Sequence, residues 1–305
     1  MITKLLSGTK FTYLLLKYVD NWSYIFKLLA SGKRTDMIKI VLRDGHEINF
    51  KGIFNLYLFL QLLEKGWKIK DYFDVNSVLI CKEICLKIRT SKGFDVGHVD
   101  EIYERKAYGR HFSGVVVDVG ASNADSSIYF AINGAQKVIA LEPFPESYEI
   151  GRYNLEINHL TDKVVLLPYA LADHDGYTEF LVSSDSPNAN SIYPSEYLES
   201  SGVRFSEKIT VETISLFTLI QKFNINRISL LKMDCEGCEY KVLRNVTNDI
   251  LDKIDTIMLE YHDYPKDIPD ILQNAGFKVI YENKPVGVLK ACKSSLCSQR
   301  QPKSY

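Results

Sequence analysis

No stretch of this 305-residue chain approaches the ~20 uncharged apolar residues that a bilayer crossing requires. No membrane span is expected. An excess of either charge is missing too: 37 basic residues stand against 38 acidic ones, for a formal net charge of −1. That balance argues against a polyanionic partner, so nucleic acid is not an expected substrate. Nor is a secretory leader expected, because Lys4, Lys10, Lys17, Asp20 and Lys27 interrupt the first 30 residues. Cysteines are few, at 81, 85, 235, 238, 292 and 297. The default is a reducing cytoplasm and a fold that needs no disulfide. Cys235-x-x-Cys238 raises zinc or redox chemistry, but Cys292 and Cys297 lack the spacing to complete a four-ligand site. Both cysteines read as small buried hydrophobes.

The run Val115-Val116-Val117-Asp118-Val119-Gly120-Ala121 is the most informative stretch present. It reads as a buried strand ending in a tight turn, where glycine lets the backbone approach a ligand. Twenty-four residues after Asp118, a second apolar strand ends in Glu142. An acidic residue there is placed to hold a ribose diol, which points to an adenosine-type cofactor. A pyrophosphate site favours three glycines, yet Ala121, Ser122, Asn123 and Ala124 follow Gly120. Asp118 and Asp125 would also repel a phosphate. They suit S-adenosylmethionine, which carries a sulfonium and an ammonium and no phosphate.

At this point the chain resembles the FkbM family of S-adenosylmethionine-dependent methyltransferases, over roughly residues 101–291. The match rests on Asp118 through Ser126, on Ala140-Leu141-Glu142-Pro143, and on Leu231-Lys232-Met233-Asp234-Cys235-Glu236-Gly237-Cys238-Glu239. The last resembles the family signature Lys-Ile-Asp-Val-Glu-Gly-Ala-Glu, with cysteine at two small positions. Ala124 stands where the family commonly has glycine. The resemblance implies methyl transfer, mostly to oxygen, with Asp118, Gly120, Ala121, Asp125, Ser126, Glu142 and Pro143 at the cofactor. It also implies a class I, Rossmann-like α/β fold with strand order 3-2-1-4-5-7-6.

Periodicity supports that architecture. Strands are expected at 115–119, 137–141, 164–167, 228–233 and 256–260, with helices near 125–133, 146–158, from 237 and at 266–275. Two closing strands, 277–281 and 286–291, are too closely joined for a crossover and must be antiparallel. A β insertion is expected at 177–182 and 208–214. Residues 1–100 read as a small α+β accessory region, 101–291 as the methyltransferase domain, and 292–305 as a polar tail. Within the first 36 residues, apolar side chains from Leu14 to Leu29 recur at helical spacing. A helix packed on the catalytic domain is favoured over one lying on a membrane surface. Asp44-Gly45 marks a hairpin, 53–66 a helix, 84–88 a strand, and 93–114 a link.

Ligands of open α/β sheets lie beyond the carboxyl ends of the strands. Methyl transfer needs an in-line acceptor and benefits from a base. Asp234, Glu236 and His262 are the catalytic candidates. Each has a plainer reading: a helix cap for the two acids, an ion pair with Lys232, an ordinary histidine. The three could hold a divalent metal, but none is expected. Asn190 and Ser191, in a polar loop at 183–191, are the candidate acceptor contacts. The expected acceptor is a glycan, a lipid-linked saccharide or a small metabolite. An NAD-type Rossmann enzyme and a catalytically silent cofactor-binding protein of a glycan pathway are the alternatives.

Overall fold

The computed structural model describes residues 9–32, 35–194, 200 and 202–294. The chain forms two compact units, Met1–Tyr108 and Gly109–Tyr305.

In the first unit, α1 (Thr9–Tyr18) and α2 (Trp22–Ala30) replace the single expected helix. The break has a tertiary cause. Val19 forms a β-bridge with Leu42, and the Asp20 N–H donates to the Val41 carbonyl at 2.7 Å. Helix α1 packs on α3 (Gly52–Glu64) of its own unit, with Phe11 edge-on to Tyr57 at 5.4 Å. Strands β1 (Met37–Val41) and β2 (Glu47–Lys51) form the Asp44-Gly45 hairpin, with Gly45 at φ +88°. An antiparallel sheet of β3 (Lys68–Asp74), β4 (Ser77–Cys81) and β5 (Cys85–Arg89) follows, of which the sequence signalled only the last. Its β4–β5 hairpin is closed by a Cys81–Cys85 disulfide. The expected link is partly helical, with α4 (Asp95–Val99) running into a π-helical turn at Asp100–Glu104. Asp95 fixes that start: its carboxylate accepts from Arg89 N, Nε and Nη2, each at 2.9 Å, in a buried fork.

The second unit is built on a seven-stranded sheet of β6 (Val115–Val119), β7 (Lys137–Leu141), β8 (Val164–Leu167), β12 (Ile228–Met233), β13 (Thr256–Tyr261), β14 (Phe277–Ile280) and β15 (Gly287–Lys293). Their spatial order is β8-β7-β6-β12-β13-β15-β14, the class I methyltransferase order. All pairings are parallel except those of β15 with β13 and β14. Val117, Val119, Ile139, Leu141, Leu231 and Met233 belong to one buried cluster. Each such side chain contributes about 1.5–3 kcal/mol on burial, so the strand tips are held firmly. The crossovers are α5 (Asp125–Ile132), α6 (Pro145–Ile157), α7 (Leu216–Lys222), α8 (Cys238–Asn245), the short α9 (Asn248–Leu251) and α10 (Ile268–Asn274). Pro145 opens α6, where its missing N–H costs nothing. Ser215 caps α7 through its Oγ and Thr218 N, at 3.2 Å.

The insertion is a three-stranded sheet in the order β10 (Gly176–Val182), β11 (Glu207–Ser215), β9 (Tyr169–Ala172). Strand β9 was not anticipated. The expected tail begins inside β15, and its residues from 295 onward lie outside the described ones.

Candidate active site

Parallel pairing sets Val119 level with Leu141 on one side and Met233 on the other. The turns after β6, β7 and β12 therefore share one edge of the sheet. Gly120 is at φ +74°, and a Cβ there would lie 1.8 Å from the Asp234 carbonyl oxygen. Only glycine lets those two strand tips meet. Ser122 and Ala124 follow at φ +47° and +62°, conformations that L-residues adopt at a cost. Ala124 thus keeps the backbone shape that glycine would supply more easily. Gly151 on α6 makes room, since a Cβ there would lie 3.3 Å from the Ala124 methyl.

Glu142 is 7% exposed, and its two oxygens accept from Ser122 N at 2.7 Å and Phe144 N at 2.8 Å. It thereby ties the β7 end, where Pro143 is half-buried, to the turn after β6. Asp118 is oriented differently. It is wholly buried, and its Oδ2 accepts from Ser126 Oγ at 2.7 Å and Ser127 Oγ at 2.6 Å. Its Oδ1 lies 3.2 Å from Lys232 Nζ. Asp118 and Ser126 brace the turn from beneath. Ala121 is fully buried, its N–H on the Leu141 carbonyl at 3.0 Å. Asp125 opens α5 and accepts from Ser126 N at 2.6 Å.

The sequence allows Lys232 to pair with Asp234 or Glu236, but in the structure it serves chiefly the other strand. Its Nζ donates to the Gly120 and Val119 carbonyls at 2.9 and 3.3 Å, pairs with Asp118, and stays 3.9 Å from Asp234. The register signals this, because Lys232 sits opposite Asp118.

Beyond β12 the chain reads Asp234-Cys235-Glu236-Gly237-Cys238-Glu239. Neither Asp234 nor Glu236 caps α8. Glu239, in the first turn of α8, reaches back instead and accepts from Cys235 N at 2.7 Å and Gly237 N at 2.8 Å. Cys235 and Cys238 are bonded to each other as a disulfide, which corrects their reading as free, small hydrophobes. Glu236 lies inside that bridge at φ +57°. A Cβ on Gly237 would lie 2.1 Å from the Tyr193 carbonyl, so the 183–193 segment packs directly on this turn.

Asn190 and Ser191 belong to that segment, at 7% and 0% exposure. Asn190 Oδ1 accepts from Ser183 N at 2.7 Å, and Ser191 Oγ donates to the Glu236 carbonyl at 2.6 Å. They fasten the loop and present little surface.

His262, just past β13, brings Nδ1 to 3.2 Å from Glu236 Oε2 and Nε2 to 3.6 Å from Glu260 Oε1. Burial lowers the His262 pKa, while Asp234 acts in the opposite sense. Burial and then the neighbouring Asp234, Glu239 and Glu260 carboxylates raise that of Glu236 well above the ordinary value. The three catalytic candidates therefore converge: ligand atoms of Asp234, Glu236 and His262 lie within 4.8 Å of one another.

The donor set fits a phosphate-free, cationic nucleoside. Carboxylates dominate this edge, and Lys232, the cation among them, is committed to Asp118 and two carbonyls. Residues 118–279, over half the chain, match the family model described as the methyltransferase FkbM domain. The chain belongs to the FkbM methyltransferase family. Its methyl donor is S-adenosylmethionine. Among curated relatives, methyltransferase sdnD of Sordaria araneosa is 26% identical over 190 residues, 54% of this chain and 73% of that protein. Hexuronic acid methyltransferase AglP of Haloferax volcanii is 26% identical over 140 residues, 45% of this chain and 53% of that one. A solved FkbM methyltransferase from Methylobacillus flagellatus is 12% identical, covers 65% of this chain and 52% of its own, and superimposes with a TM-score of 0.40.

Proposed function

We propose that this FkbM methyltransferase acts on oxygen, transferring the methyl group to a hydroxyl of a glycan, a lipid-linked saccharide or a small metabolite. The observation that carries the reading is the convergence of Asp234, Glu236 and His262 immediately beside the Gly120 turn. An alcohol is a poor nucleophile until its proton is drawn off. Two carboxylates and an imidazole kept neutral by burial form a set that can draw it off. The Haloferax relative, named a hexuronic acid methyltransferase, agrees with a saccharide acceptor.

In this reading, Glu142 holds the ribose diol, and Gly120, Ala121, Asp125 and Pro143 line the nucleoside's place. Asp118 and Ser126 act from below by fixing the turn. S-adenosylmethionine supplies an electrophilic methyl on a sulfonium. The turn from Asp234 to Glu239 orients the acceptor oxygen behind that methyl and receives the hydroxyl proton. Asp234→Asn is the test. It is expected to lower kcat at least tenfold while leaving S-adenosylhomocysteine affinity within about twofold, because Asp234 acts on the acceptor. Equal loss of both would move Asp234 to the cofactor or the fold.

A further inference from the structure

We propose that Asp234, Glu236 and His262 bind a divalent cation of the Mn2+ type, and that this ion grips the acceptor through its oxygens. The inference rests on the acceptor-side reading above and names what makes that side selective.

Geometry comes first. Ligands about 2.1 Å from one ion lie ~3.0 Å apart when adjacent and ~4.2 Å apart when opposite. Glu236 Oε2 and His262 Nδ1, at 3.2 Å, already have the spacing of adjacent ligands. With all three donor atoms within 4.8 Å, the widest pair has to close by up to about 0.6 Å if its atoms become opposite ligands and up to about 1.8 Å if adjacent ones. Side-chain torsions supply that without moving the backbone.

A second observation concerns Glu236 itself. Its Oε2 is shut off from solvent and accepts no hydrogen bond among the described residues. A carboxylate oxygen in that condition lacks its usual compensation. Asp234, Glu239 and Glu260 crowd around it, and Lys232 is held toward Asp118 and the β6 turn. Carboxylates thus gather at the point where three ligand atoms meet.

The surroundings supply a third. Nδ1 of His262 faces the cluster, while Nε2 faces the carboxylate of Glu260. Metal-bound imidazoles commonly direct their remote nitrogen to a carboxylate in this way. Glu236 is fixed from both sides, by the Cys235–Cys238 bridge and by Ser191 on its carbonyl. One imidazole with two carboxylates suits Mn2+ better than the all-oxygen preference of Ca2+ or the thiolate preference of structural zinc sites.

An ion here lowers the pKa of a bound hydroxyl. It also favours acceptors that offer a second oxygen, such as a vicinal diol or an α-hydroxycarboxylate. During transfer the acceptor O–H bond breaks and its proton passes by way of the Asp234–Glu239 turn to water, past the partly exposed Glu260. The O–CH3 bond forms as the S–CH3 bond breaks, and its electron pair returns to sulfur as a neutral thioether.

The experiment is a Mn2+ titration of chelator-stripped full-length protein, followed by the electron paramagnetic resonance signal of free aqueous Mn2+. One site per chain at micromolar free metal is expected, weakened roughly tenfold or more in both Glu236→Gln and His262→Gln. S-adenosylhomocysteine affinity, measured by calorimetry on the same samples, is expected to stay constant and shows that each variant is folded. Wild-type protein that leaves Mn2+ free up to millimolar levels overturns the cation site, as do folded variants that bind it like the wild type. Stripped protein that binds the nucleoside but no Mn2+ overturns the cation alone and leaves the methyltransferase reading standing.

Discussion

Lys232 shows how one side chain can set the geometry of a whole site. It is 3% exposed, and its ammonium joins Asp118 to the carbonyls that begin the β6 turn. Lys232→Met leaves the Asp118 carboxylate buried without its counter-charge, a loss of about 3–5 kcal/mol. Chemical denaturation measures it, and an unchanged unfolding midpoint would contradict the role. The sequence revealed a charge that needed a partner; the partner itself follows from strand register, which a linear reading does not give. Glu239 makes a similar point. Its carboxyl is pushed up to about 7 by burial, against the Cys235 and Gly237 N–H groups that favour the charged form. Between an unfolded value of roughly 4.3 and 7, the native state keeps a proton that the unfolded chain has lost. Glu239 therefore contributes stability below that window, and the contribution is lost as pH rises through it. Melting temperatures across pH 5–7.5 are expected to fall more steeply in the wild type than in Glu239→Gln, and parallel curves would contradict the shift.

Elements with one dominant signal were legible. Strands β6, β7, β8 and β12 have the boundaries that their apolar runs and following acid or turn residues mark. Elements set by tertiary pairing were not. Strand β3, Lys-Ile-Lys-Asp-Tyr-Phe-Asp, is mostly exposed and carries little alternation. Strand β9 follows β8 after Pro168 alone, and the short Tyr-Ala-Leu-Ala carries no signal of a second strand that joins a different sheet. The α1–α2 break depends on Leu42, more than 20 residues downstream. The Cys81–Cys85 and Cys235–Cys238 disulfides join cysteines four and three residues apart. Cys81 pairs with Cys85 because register sets them opposite each other. The Cys235–Cys238 bridge closes the turn that carries Glu236, and a loop that short contributes about 2 kcal/mol of order. Cys235→Ser/Cys238→Ser is expected to lower kcat by up to ~30-fold, the rate equivalent of that energy, with nucleoside affinity kept. Cys81→Ser/Cys85→Ser serves as the control. An equal fall in affinity would mean that the bridge supports the cofactor turn as well.

On the scale of the whole molecule, the family domain matches residues 118–279, within the second unit. The first unit carries its own core, with Ile40, Ile48, Phe50 and Phe59 fully buried. Among the described residues no helix is long and apolar enough to cross a membrane. The expectation of a cytoplasmic protein leaned on cysteines that need no bonding, and the Cys81–Cys85 and Cys235–Cys238 disulfides remove that support. The candidate site was legible at its corners, Gly120, Glu142, Asp234 and His262, because strand ends carry it. Its bracing by Ser127, Lys232 and Glu239 was not: Lys232 acts across the strand register, and Ser127 and Glu239 act within turns whose folded shape linear spacing does not give. In the function proposed above, Glu142, bound to the Ser122 and Phe144 N–H groups, shapes the place for a phosphate-free nucleoside. Calorimetry with S-adenosylhomocysteine tests it most directly. One site per chain is predicted for the wild type, weakened by about 2–5 kcal/mol in Glu142→Ala; no heat at millimolar nucleoside, or the same affinity in both proteins, would contradict it.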